Sequence, residues 1–265
     1  MVRLLLEHGA KPDWQPPPGF FDGYFNITKS ERKHYKEKNE RVTPLIAAVL
    51  AGSESIVKLL LDHGADVDAC LAGWTGSYES RRNPLEWAAY EGHVGMVREL
   101  LRRGAQTVGT GPNGESAMHY AAETGHADVL EVLLEHGCKV TPKGKHLDAP
   151  LHLAVSSEDV RSVLVLLQHR ANPSICRSPG TPLHMAARGD DQEIAKLLLE
   201  NGADVNAKHL ESTPLDEAIS RGNSDMAKLL RQHGGKRGST SPVVVLIVAL
   251  AVVAALVAAY FLLLR

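Results

Sequence analysis

The stretch Thr181-Pro182-Leu183-His184-Met185-Ala186-Ala187, then Ile194, Leu197 and Leu198, then Gly202-Ala203-Asp204-Val205-Asn206-Ala207, decides the fold. Thr181 is a helix-capping type, and Pro182 suits the first helical position, where a missing N–H costs nothing. Leu183, Ala186 and Ala187 recur at helical spacing, and the small alanines let a second helix approach closely. A break is expected near Gly189-Asp190-Asp191. A second helix then carries Ile194, Leu197 and Leu198 on one stripe, and Gly202 supplies the left-handed conformation that ends a helix cheaply. The unit is two short antiparallel helices and a turn. It cannot bury its apolar stripe alone, so neighbours must stack.

The unit recurs six times. Its starts are Thr43-Pro44-Leu45, Asn83-Pro84-Leu85, Ser116-Ala117-Met118, Ala149-Pro150-Leu151, Thr181-Pro182-Leu183 and Thr213-Pro214-Leu215. Twenty-one residues after each start stands Gly64, Gly104, Gly137, Arg170, Gly202 or Gly234. Four residues before each of those marks stands a Leu: Leu60, Leu100, Leu133, Leu166, Leu198 and Leu230. Successive starts are 40, 33, 33, 32 and 32 residues apart. A fixed period of this size is the signature of a repeat array.

These residues resemble the ankyrin-repeat family. Besides the stretch quoted above, His119-Tyr120-Ala121-Ala122 with Gly125-His126, and His152-Leu153-Ala154, follow the family pattern. The resemblance covers Thr43 to Gly235. It implies an all-α repeat solenoid of stacked helix–turn–helix repeats with hairpin turns, whose role is to bind another protein. Departures are local. The fourth copy has Ala149 for Thr and Arg170 for the closing Gly; an Arg forced to positive φ costs roughly 1 kcal/mol. The last copy has Arg231 where others have a second Leu, as a water-facing terminal repeat requires.

The expected organisation is a partial repeat over 1–11, with a second helix but no first, and an insertion over 12–42. Six repeats follow over 43–235, then a short linker over 236–242 and a transmembrane helix over 243–264. The insertion holds Trp14, Phe20, Phe21, Tyr24, Phe25 and Tyr35, six of the chain's thirteen aromatics. So aromatic a segment is expected to be ordered. It either seals the end of the stack or presents anchors to a partner. The run Lys29 to Arg41 carries six cations against three anions, which reads as a solvated face. A second, shorter insertion precedes Asn83 and contains Trp74 and Tyr78.

Composition sets outer bounds. The chain has 265 residues, a net charge of −2 and 44% hydrophobic residues. That argues against a nucleic-acid binder and against intrinsic disorder. Three cysteines, Cys70, Cys138 and Cys176, make no disulfide scaffold and fit a reducing compartment. Thirteen histidines invite a metal reading, but ten fall at fixed register positions. His119, His152 and His184 hold the fourth position, where the family resemblance implies hydrogen bonds between neighbouring turns. No Cys-x-x-Cys, His-Glu-x-x-His, Gly-x-Ser-x-Gly or phosphate loop occurs. No catalytic, cofactor-binding or metal residue is therefore expected, no cofactor, and no small-molecule substrate.

Val243 to Leu264 is 22 apolar residues without a charge, about 33 Å as a helix, enough to cross a hydrocarbon core. The chain has no apolar N-terminal signal run, and Lys236 and Arg237 precede the apolar stretch. The pattern resembles the tail-anchored class, with the repeats on the cytoplasmic side. Among organelles it leans towards the endoplasmic reticulum. The expected function is a membrane-anchored scaffold or adaptor for a protein partner. The alternatives are a fragment of a larger membrane protein, such as a channel or acyltransferase, and a regulatory subunit that localises an enzyme. Candidate partner-binding residues are Arg82, Tyr90, Glu91, Glu115, Glu123, Arg188 and Arg221 on the family's concave face. Trp14, Phe20 and Phe21 in the insertion complete the set.

Overall fold

Each of the six starts is a helix N-cap in extended conformation. The computed structural model of the protein describes residues 6–13, 43–70, 82–109, 114–140, 149–178 and 180–238. The calls on residues 14–42 and 243–264, including Trp14, Phe20, Phe21 and the apolar run, lie outside these. Among the described residues are twelve helices, two per repeat. They are α1 (Pro44–Leu50) and α2 (Glu54–Asp62); α3 (Pro84–Tyr90) and α4 (Val94–Arg102); α5 (Ala117–Glu123) and α6 (Ala127–Glu135). The others are α7 (Pro150–Ser156) and α8 (Val160–Gln168); α9 (Pro182–Gly189) and α10 (Gln192–Glu200); α11 (Pro214–Arg221) and α12 (Ser224–Gln232).

The chain divides into two compact units, 1–172 and 173–265. In the first, α1, α3, α5 and α7 pack side by side in one layer, and α2, α4, α6 and α8 form the second. In the second unit α11 packs on α9 and α12 on α10. The core is periodic because the sequence is. Leu45, Leu85, Met118, Leu151, Leu183 and Leu215 are all buried, one per first helix. So are Leu60, Leu100, Leu133, Leu166, Leu198 and Leu230, one per second helix. Arg231, which replaces the second Leu of the last repeat, is exposed.

The caps explain why helices of seven to nine residues persist. Helices this short are marginal in isolation, so their ends and their packing must supply the stability. At α3, Asn83 Oδ1 accepts from Glu86 N at 2.8 Å, while Asn83 N donates to Glu86 Oε2 at 2.9 Å. Thr213 and Asp216 repeat this reciprocal pattern at α11. At α9 a histidine does the same work. Thr181 N donates to His184 Nδ1 at 3.2 Å, which assigns the proton to Nε2, and Nε2–H donates to Ser212 O of the next repeat at 3.1 Å. His119 Nδ1 likewise accepts from Ser116 N at 3.1 Å. The fourth-position histidines are thus pieces of the turn.

Two left-handed corners end the two helices of every repeat. The second lies at the closing mark: Gly64, Gly104, Gly137, Gly202 and Gly234 have φ of +82° to +86°, and Arg170 takes φ +65°. The first lies nine residues after each start. There Gly52, Gly92, Gly125 and Gly222 have positive φ, and Glu158 and Asp190 adopt it without glycine. The break expected near Gly189-Asp190-Asp191 falls on Asp190. α9 runs through Gly189, and Asp190, at φ +64°, makes the turn. Gly92 has a second reason to be glycine, since a Cβ there would stand 2.7 Å from the His126 ring. That ring donates through Nε2 to the carbonyl of Tyr90 in the preceding repeat, at 3.0 Å. Asn223 makes the equivalent contact in the second unit, from Nδ2 to Ala187 O at 3.0 Å.

Two outcomes test these points. Arg170→Gly is expected to stabilise the protein by about 1 kcal/mol, because it relieves a left-handed side chain at a corner whose hydrogen bonds are otherwise ordinary. Chemical denaturation of the intact chain in mild detergent reads the change. His119 supplies the second. Burial pushes its imidazole down to about 4. The unfolded chain takes up a proton near 6.5 that the folded chain refuses. Stability is therefore expected to fall as pH drops from about 6.5 to about 4, by up to about 3 kcal/mol for this group. His119→Asn, which keeps an acceptor but cannot titrate, is expected to flatten that slope in a series of urea melts.

Candidate functional site

The first helices of unit 1 turn one side to the core and the other outward. Away from the core side stand the fifth and eighth positions of each repeat, with the residue just before the start; the fifth is nonetheless buried, Trp87 being 6% and Tyr120 5% exposed. In the second repeat these are Trp87, Tyr90 and Arg82, and in the third Tyr120, Glu123 and Glu115. Helical spacing puts Trp87 and Tyr90 on one face of α3, and stacking of α5 on α3 brings Tyr120 beside them.

These residues converge. The Arg82 guanidinium carbon lies 4.2 Å from the Tyr90 ring centroid, 4.2 Å from Tyr120 and 4.9 Å from Trp87. The rings meet one another edge to face, Trp87 with Tyr90 at 6.1 Å and Tyr90 with Tyr120 at 6.4 Å. That geometry directs electron-rich faces towards the cation. Burial raises the Tyr120 phenol above its usual range, and a hydrogen bond from Arg82 works against the rise. Arg82 Nε and Trp87 Nε1 are both buried without a hydrogen-bond partner. The guanidinium is therefore held by three π faces and a hydrogen bond to the Tyr120 hydroxyl.

The sequence-derived candidates distribute unevenly. Arg82 and Tyr90 are half-buried members of the cluster. Glu91, the C-cap of α3, and Glu115 are half-buried beside it, and Glu123, the last residue of α5, is exposed. Arg188 and Arg221 belong to unit 2. Arg188 pairs through Nε with Glu217 at 3.2 Å, and Arg221 ends α11, exposed. Sequence reasoning missed Trp87 and Tyr120. Both occupy the register's fifth position, as Met185 does in the repeat quoted first, and comparing that position across copies would have found them.

The chemistry available here is recognition. Among the described residues no group of three or more His, Cys, Asp or Glu is placed to hold a metal ion. Burial raises the Cys138 thiol, which makes it a poorer nucleophile. Among the described residues no helix is long and apolar enough to cross a membrane.

The family model for ankyrin repeats matches three times, at residues 1–110, 70–144 and 151–240. The chain belongs to the ankyrin-repeat family. It is 29% identical to the ankyrin repeat domain of human ASB11, with a TM-score of 0.67, over 75% of this chain and 88% of that one. It is 28% identical to the ankyrin repeat domain of Bcl-3, described as a unique member of the IkappaB protein family. There the TM-score is 0.64, over 74% of this chain and 87% of that one. Over 134 residues it is 31% identical to the mouse B-cell lymphoma 3 protein homolog, covering 45% of this chain and 29% of that protein. The chain thus spans under a third of that relative's length. The domain is a protein-interaction domain of the ankyrin type.

Proposed function

We propose that this protein is a membrane-anchored, non-enzymatic adaptor that binds a partner protein through the first-helix face of its repeats. The observation that carries the binding half is the cluster of Arg82, Trp87, Tyr90 and Tyr120. Arginine, tryptophan and tyrosine are the residue types that dominate interface energetics. Here they lie together on one helix face, with an arginine whose orientation is set before any partner arrives. Preorganisation lowers the entropic cost of association.

The anchoring half is supported by Val243 to Leu264, 22 residues with no charge and no polar face. Lys236 and Arg237 just before it favour the cytoplasmic side for the repeats. The endoplasmic reticulum is the membrane proposed. The activity is recognition, with localisation supplied by the tail.

The two halves are tested separately. The intact chain is expected to stay in the membrane pellet through alkaline carbonate extraction, and deletion of residues 243–265 is expected to release it; an intact chain found in the supernatant rejects the anchor. Proximity labelling with the intact chain is expected to give a neighbour set from which one protein is lost when Tyr90→Ala is combined with Glu123→Lys. An identical neighbour set for this double variant, at unchanged melting temperature, rejects the binding face.

A further inference from the structure

The first-helix face of unit 1 is strongly one-signed. Over 43–53, 82–93, 114–126 and 149–159, each running from just before or at a repeat start to the second helix, it carries Glu91, Glu115, Glu123, Glu158 and Asp159, apart from Glu86, which is buried in the α3 cap. Against these five carboxylates stands one cation among the described residues of these segments, Arg82. That cation does not spread its charge over the face. It is drawn into the ring trio, 4.2 Å from Tyr90 and Tyr120 and 4.9 Å from Trp87. The result is an acidic surface around a formed aromatic cage that already holds a guanidinium.

Such a cage attracts cations as a class, because the ring quadrupole acts on charge and not on the identity of its carrier. Arg82 occupies it as a side chain of the same chain. Its Nε makes no hydrogen bond in that position. Trp87 is 6% exposed, and its indole N–H is also left without an acceptor. The cage therefore holds its present occupant by π faces and a hydrogen bond to the Tyr120 hydroxyl, while leaving two buried donors unmet.

We propose that this face docks a basic segment of a partner protein, that an arginine or lysine side chain of the segment enters the Trp87–Tyr90–Tyr120 cage, and that Arg82 is an internal stand-in competing with it. The inference rests on the protein-binding reading above and names the partner's chemistry. Charge complementarity selects the occupant, since an acidic segment would meet a face with a balance of −4, five carboxylates against one cation. A peptide also brings backbone carbonyls, the acceptors that the Trp87 N–H lacks.

The test is the sign of one substitution. A fluorescein-labelled peptide of alternating Gly and Arg is titrated into the intact chain in detergent and followed by anisotropy, with the matching Gly/Glu peptide as control. The Arg peptide is expected to bind and the Glu peptide not. Arg82→Ala is expected to tighten the Arg peptide about threefold or more by vacating the cage, whereas Tyr90→Ala weakens it about tenfold. Should Arg82→Ala lower the melting temperature, Arg82→Gln replaces it with the same expectation. Weaker or unchanged binding on loss of Arg82, preference for the Glu peptide, or indifference to Tyr90→Ala overturns the inference. If the cellular neighbour still depends on Tyr90 and Glu123 while Arg82→Ala weakens the peptide, the binding face stands and the basic occupant falls.

Discussion

Every repeat in this chain depends on two backbone reversals that an L-residue adopts only at a cost. One lies nine residues after the start and the other twenty-one, and both need positive φ. Helices of seven to nine residues cannot be lengthened to absorb an error, so a corner displaced by one residue would rotate the next apolar stripe by about 100° out of the core. Glycine fills nine of the twelve corners. Glu158 and Arg170 in the fourth repeat and Asp190 in the fifth take the other three, Glu158 and Asp190 at first corners and Arg170 at a closing one, so the exceptions sit in two adjacent copies. Burial of Leu151, Leu166, Leu183 and Leu198 in those copies overrides the local strain.

The caps show how one geometric need is met by different chemistries. At four of the six starts the residue three further on reaches back to the start's own N–H. His119 and His184 do so with Nδ1, Glu86 and Asp216 with a carboxylate oxygen. A histidine adds something a carboxylate cannot, because its far nitrogen donates onward, as His184 does to Ser212. The same substitution carries a pH liability, since the neutral ring is the one that fits. His119 and His184 are thus consequences of turn geometry.

Most of the fold was legible in the sequence because it is one-dimensional information. Starts, closing marks and buried leucines recur at fixed intervals, and the structure places a cap, a corner and a core residue at each. The site was legible only in part. Arg82 and Tyr90 stood out as residue types at exposed register positions. Their meaning comes from Tyr120, in the next repeat, which reaches Arg82 only because α5 stacks on α3. No periodicity within one copy contains that contact. The break near Gly189-Asp190-Asp191 was legible as well, but not which residue makes it: Gly189 is the better intrinsic turn former, and the register, set by packing, puts the reversal at Asp190.

The last described residues bear on how the proposed anchor would be used. Gly234 O accepts from Asn206 Nδ2 at 3.1 Å, and Lys236 N donates to Asn206 Oδ1 at 2.7 Å. Lys236 O accepts from Thr213 Oγ1 at 2.8 Å, and Gly238 N donates to Asp216 Oδ2 at 2.7 Å. Asp216 also pairs with Arg237 at 3.2 Å, and these bonds and the pair hold its carboxyl below the usual range although burial opposes them. The chain leaving α12 is therefore fastened to the cap of α11 as far as Gly238. Only residues 239–242 then separate this fastening from Val243, a reach of at most roughly 18 Å over five steps. A tail inserted in a bilayer would keep the α11 cap within that distance of the membrane surface. These hydrogen bonds would then tether the second unit to the membrane alongside the anchor itself.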